Sequence, residues 1–271
     1  MRTRCLSLWA LVAVLCAQFG GVFAAALELV SGEEQFLFGG REMPVRVAIR
    51  NAAGEAVTER LSWRLYQASS ATLAPVGEAV ELEPITFPAG HEVVVSIPVT
   101  APQPRGIGSF RVKVFTSAEE LGSARLRVCP EGLLEGLEKL AGEVGVFEAE
   151  AEVGELLQKQ KVMVADLAAE ADQFAGKLAL VRLTSAEAER EWKTVQGRLP
   201  AGCAVLFIVS PGVTGSEILA PMKFGRKNGR AVGMVQEWFV PALAESPLSQ
   251  LRLLRAAELL LKPEDLKFPV S

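Results

Sequence analysis

Ala204-Val205-Leu206-Phe207-Ile208-Val209 is the stretch whose reading decides the fold. It has no polar position, with Gly202 just before it and Ser210-Pro211-Gly212 just after. A strand wetted on one face alternates apolar and polar residues. A strand apolar throughout is buried on both faces, as in a parallel sheet covered by helices. The flanking sequence agrees. Upstream, residues 178–183 read as another strand, and Thr184 with Glu187 three residues on forms a capping box for a helix. That helix carries Trp192 and Val195 and ends near Gly197. Downstream comes a strand at 231–235, then a last helix capped by Ser246 with Pro247 in its first turn. Its leucines Leu248, Leu251, Leu254 and Leu259 recur at helical spacing, and Pro263 stops it. Further upstream lie strand-like runs at 161–165 and 143–147, and a helical pattern over 131–142. Alternating helices and strands predict an α/β three-layer domain with a mainly parallel sheet over 131–271.

Before Pro130 the period changes to two. Val45, Val47 and Ile49 alternate with Arg46 and Arg50, and Trp63, the set Val93, Val95 and Ile97, and the set Phe110, Val112 and Val114 repeat the pattern. Asn51-Ala52-Ala53-Gly54 and Gly106-Ile107-Gly108 supply turns. Seven or eight half-buried strands predict an immunoglobulin-like β-sandwich over 27–130. The inter-sheet disulfide of antibody domains is excluded, because this segment holds only Cys129. Two cooperative units are expected, with proteolysis near 129–133.

The run from Ala101-Pro102-Gln103-Pro104 to Phe110-Arg111-Val112-Lys113-Val114 resembles a late hairpin of bacterial immunoglobulin-like and fibronectin-like modules. The second half is similar, in element order alone, to class I glutamine-amidotransferase-like (flavodoxin-like) domains. That resemblance implies a degenerate member used for assembly. In that family the nucleophile sits in a strand-to-helix turn with a histidine later in the chain. Here Cys203 precedes its strand and no histidine follows it, so no catalytic residue carries over.

The N-terminus reads as a signal peptide over residues 1–26. Arg2 and Arg4 precede an apolar run from Leu6 to Cys16, and Val22-Phe23-Ala24 or Ala24-Ala25-Ala26 gives the cleavage context. The run falls short of the about 20 apolar residues of a bilayer span. A lipoprotein signal ending at Cys16 fits less well, because Leu15 is not small. The expectation is a periplasmic or secreted protein with no membrane span after cleavage.

Loss of Arg2 and Arg4 takes the formal net charge from −4 to about −6. Nucleic-acid binding needs clustered Lys and Arg to neutralise phosphate, so no nucleic-acid partner is expected. The remaining cysteines, Cys129 and Cys203, either bridge or stay as separate buried thiols; the second is favoured, because bridging demands a close approach of their Cα atoms. His91 is the single histidine, and any Ser-His-Asp or Cys-His arrangement must use it. It opens a strand after Pro88-Ala89-Gly90, as an exposed edge residue does. No zinc-ligand spacing, Walker loop, dinucleotide fingerprint or nucleophile elbow is present. Catalytic residues, metal sites and cofactors are therefore expected to be none.

Ligands of parallel α/β sheets bind beyond the C-terminal ends of the strands. Ser210–Ser216 lies in that place, followed by a basic loop with Lys223, Arg226, Lys227 and Arg230. These cations suit an anion or an acidic glycan, against the alternative of a solvated loop. Trp238 is the candidate stacking platform, against packing under the last helix. The expected function is a non-catalytic exported protein that binds a protein partner or an extracytoplasmic glycan, or assembles. The competing class is a carboxylate-dependent hydrolase or accessory module acting on glycans, which needs no histidine.

Overall fold

The computed structural model describes residues 27–30, 32–209, 222–227, 230–236 and 243–262. Residues 1–26, read from sequence as a leader, residues 210–216 and Trp238 lie outside them. The chain is sheet-rich, with mainly antiparallel sheets in its first half, where only Gln35–Phe38 and Glu120–Cys129 pair in parallel among the described pairings, and a mainly parallel sheet in its second. Among the described residues no helix is long and apolar enough to cross a membrane.

Two compact units divide the chain, and both are discontinuous in sequence. Of the described residues, one gathers those up to Glu34 with Pro44–Pro98 and Phe110–Arg125; the other gathers Gln35–Met43, Val99–Ser109 and those from Leu126 on.

Among the described residues the first half contributes ten strands. β1 (Leu27–Val30), β3 (Glu42–Asn51) and β8 (Glu92–Thr100) form one sheet, and β4 (Val57–Glu59) pairs with β7 (Ile85–Phe87). The largest has the order β2-β10-β9-β5-β6, from β2 (Gln35–Phe38), β10 (Glu120–Cys129), β9 (Gly108–Phe115), β5 (Ser62–Ala68) and β6 (Leu73–Glu81). The alternation read from sequence is what buries these strands: Val45, Val47, Ile49, Trp63, Leu65, Val95, Ile97, Phe110, Val112 and Val114 are all buried. Val94, between two inward positions, is 62% exposed. The turn after β3 is held by the buried Asn51, whose amide donates to the carbonyls of Glu55 and Phe87 and whose side-chain oxygen accepts from Ala53 N–H. His91 is exposed, its Nδ1 2.8 Å from the Ala89 carbonyl.

The second unit is built on a six-stranded sheet of order β12-β11-β13-β14-β16-β15. Its strands are β11 (Val144–Phe147), β12 (Val164–Asp166), β13 (Leu178–Leu183), β14 (Ala204–Val209), β15 (Met222–Lys227) and β16 (Arg230–Gln236). Every pairing is parallel except β15 with β16. β14 sits between two parallel neighbours, which is why it carries no polar position.

Both faces of this sheet carry a core. On one, α1 (Glu135–Ala141), α2 (Glu152–Lys159) and α5 (Pro247–Leu261) pack Leu137, Leu157, Leu253 and Leu260 with Val146, Leu180, Leu206 and Val235. On the other, α3 (Leu167–Glu170) and α4 (Ala186–Val195) pack Leu167, Trp192 and Val195 with Ala179, Val181 and Val205.

Three local expectations need correction. The basic segment at 223–230 is a hairpin, β15–β16, because an edge strand tolerates, and is protected by, Lys and Arg. The α4 cap is Ser185, one residue after Thr184, and its hydroxyl accepts from Ala188 N–H at 3.1 Å. The buried face of α5 is Ser249, Gln250, Leu253, Ala256, Ala257 and Leu260, while Leu248, Leu251, Leu254 and Leu259 are only half-buried.

Candidate functional site

The basic residues singled out from sequence fall into three situations. Arg230, at the start of β16, is half-buried and donates to the carbonyls of Gln196 and Leu199 at 3.0 and 2.9 Å. It ties the hairpin to the end of α4, and its role is structural. Arg226 and Lys227, at the end of β15, are exposed. Lys223 pairs with Met234 in the β15–β16 register. Trp238 falls outside the described residues; among those described, Lys227 and Arg230 come together.

Those two line a groove of about 560 Å³ on the α4 face of the sheet. Its floor is apolar: Val205, Phe207 and Val209 of β14, and Val232 and Met234 of β16. Its wall is Trp192 of α4, buried and edge-on to Phe207 with ring centroids 5.9 Å apart. Lys193 and Glu189, paired at 3.1 Å, stand on the rim with Lys227 and Arg230. The rim is thus net positive in an acidic chain.

A second group, missed from sequence, lies at the C-terminal ends of β11 and β13. The chain leaves β11 for β12 on one side and then crosses to β13 on the other, which makes this a topological switch point. Glu148 follows β11, and its carboxylate accepts from Val153 and Gly154 N–H at 3.1 and 2.8 Å, in the first turn of α2. Burial raises the Glu148 pKa above the ordinary glutamate value, and those two N–H groups partly offset the shift. Arg182 of β13 is buried and pairs with Glu152 at 2.8 Å. The signal in the sequence was the one charge inside Leu178-Ala179-Leu180-Val181-Arg182-Leu183.

A cleft of about 730 Å³ near α2 is lined by four glutamates, Glu131, Glu135, Glu152 and Glu155. Three of them are ion-paired: Glu131 with Arg41, Glu152 with Arg182, and Glu155 with Lys159. Cys129 and Cys203 are both buried free thiols, and burial pushes each up to about 11. A thiol with so high a pKa is not a nucleophile near neutral pH.

No protein-family model matches this chain, and no curated protein matches it. Among solved structures it is similar to the Pseudomonas fluorescens alkylpurine DNA glycosylase AlkC bound to DNA containing an abasic site analog, at 15% identity over 39% of this chain and 31% of that one, TM-score 0.30. It is similar to the Listeria innocua β-glucosidase in complex with gluconolactone at 24% identity, over 38% of this chain and 16% of that one, TM-score 0.29. A Bifidobacterium adolescentis β-glucosidase gives 12% identity, 38% and 17% coverage, and TM-score 0.28. The matched part is less than a third of each of those proteins. TM-scores this low carry neither a fold nor an activity to this chain.

Proposed function

We propose that this chain is an exported, non-catalytic binding protein. In this reading a cleaved leader over 1–26 delivers it to the periplasm or beyond. An immunoglobulin-like sandwich then precedes a flavodoxin-like, amidotransferase-derived α/β domain that has lost its chemistry. The order β12-β11-β13-β14-β16 supports the second half of that reading, since it is the 2-1-3-4-5 winding of flavodoxin-like sheets.

The observation that carries the binding reading is the groove beside the hairpin. It joins an apolar floor to a cationic rim, the usual make-up of a ligand pocket. The ligand recognised there is an anion or the acidic part of an extracytoplasmic partner. Retention of the full chain on a sulfated-polysaccharide column tests this. The double variant Arg226→Glu/Lys227→Glu should elute at clearly lower salt than the parent. Equal elution refutes the hairpin as the binding surface. Turnover of a glycan or peptide, abolished by one Asp or Glu substitution, refutes the non-catalytic reading.

A further inference from the structure

The side chains of β16 alternate between two environments. Val235 is 1% exposed and joins the core formed with α5. Gly233 is crowded on that same side, since a Cβ there would stand 2.9 Å from Leu206 Cδ1 and 3.2 Å from Leu260 Cδ1. Val232 and Met234 point the other way and are only half-buried, as is Phe207 beside them. On that face α4 covers β13 and β14 through Trp192 and Val195, and among the described residues no helix packs over β16. Sheets with parallel strands are ordinarily covered on both faces. Among the described residues the groove is the uncovered part.

From this we infer that the groove binds a small amphiphilic anion: an aliphatic or aromatic body with one carboxylate or sulfonate. The inference rests on the binding reading above and names its ligand class. The floor offers Phe207, Val232 and Met234 as apolar contacts. A glycan's hydroxyls would lie unpaired against those side chains, which is costly when water is excluded. The volume, about 560 Å³, falls within the range of small-molecule pockets. The cations are not equivalent. Arg230 is committed to two carbonyls and Lys193 to Glu189. Lys227 is exposed and has no ion pair among the described residues, so it receives the anionic head. The indole Nε1 of Trp192 is buried without an acceptor among the described residues, a donor left over in the groove wall.

Calorimetric titration of the full chain tests this with dodecanoate, dodecanol, anilinonaphthalene sulfonate and a sulfated oligosaccharide. Dodecanoate should bind one per chain and displace the sulfonate dye. Lys227→Glu should weaken dodecanoate about tenfold, the loss of one charge-assisted contact, and leave dodecanol unchanged. Val232→Trp, which fills the groove from a half-exposed position, should abolish both. Met234→Gln is the milder variant, weakening both, and decides the matter should Val232→Trp melt unlike the parent. Dodecanol binding as tightly as dodecanoate overturns the anionic head. Dodecanoate binding unaffected by the groove variants overturns the site. If only the oligosaccharide binds, and needs Lys227, this inference fails while the binding reading stands. If nothing binds, both fall.

Discussion

Leu253→Ala and Leu254→Ala, adjacent on α5, should separate sharply in stability. Leu253 is fully buried, in a cluster with Leu137, Leu178, Leu206 and Val235. Leu254 is half-buried and rests over Gly136 of α1, where a Cβ would come 3.1 Å from its Cδ2. Leucine to alanine removes three carbons. At about 0.8 kcal/mol each, transfer alone accounts for about 2.4 kcal/mol at a buried site. The cavity left behind raises the expected cost to about 3–4 kcal/mol for Leu253. Leu254 keeps part of its surface in water and can relax toward it, so its cost should be about 1 kcal/mol. At about 2–4 °C per kcal/mol, the midpoint should drop by about 10 °C for Leu253→Ala and about 3 °C for Leu254→Ala. Thermal unfolding followed by near-ultraviolet circular dichroism, with urea midpoints alongside, measures both. Equal losses, or a larger one for Leu254→Ala, would show that the helix buries the leucine stripe instead of the Leu253–Ala256–Ala257–Leu260 face.

Glu148 gives a pH prediction. Its folded pKa is raised by burial, so as pH climbs the unfolded chain releases its proton first and the folded state loses stability relative to it. That loss begins at the ordinary glutamate pKa and is complete above the raised folded value. Glu148→Gln removes this contribution, so the stability of the variant minus that of the parent should grow with pH across that window; a flat or falling difference in urea titrations refutes it. The thiols give another. With pKa values of about 11 and full burial, Cys129 and Cys203 should resist iodoacetamide at pH 8 in the folded protein and react once unfolded. Rapid native alkylation, located by peptide mapping, would contradict their burial.

The strands of the parallel sheet were legible because burial on both faces leaves an unbroken apolar run, as in Ala204–Val209. The two-residue period was as plain in Val45–Ile49. β15 was not legible, since an edge strand and a solvated loop carry the same charges. On α5 the eye follows leucines, yet Ala256 and Ala257 share the buried face with Leu253 and Leu260, because small residues let the helix come close to the sheet, and Gln250 is buried there with its amide donating to the Leu243 carbonyl. At α4 two neighbouring hydroxyls, Thr184 and Ser185, both satisfy a capping pattern, and only backbone geometry chooses between them. Half of the candidate site followed the same logic. Lys227 and Arg230 were visible as charge, whereas the groove joins Trp192, Phe207 and Met234 across three elements. No local pattern announces such a meeting.

The position of α5 in the chain has a consequence for how the second unit is made. Of the six strands of the mainly parallel sheet, β11 emerges from the ribosome first and lies inside it, with β12 and then β13 added on opposite sides. Until residues 247–261 arrive, Leu206, Ile208 and Val235 have no cover from the helix that finally seals them. The arrival of this helix therefore works as a completeness check on the face it covers. A chain stopped or clipped before residue 247 keeps every strand of the sheet but presents an open apolar face, the mark by which chaperones and proteases sort unfinished protein from finished.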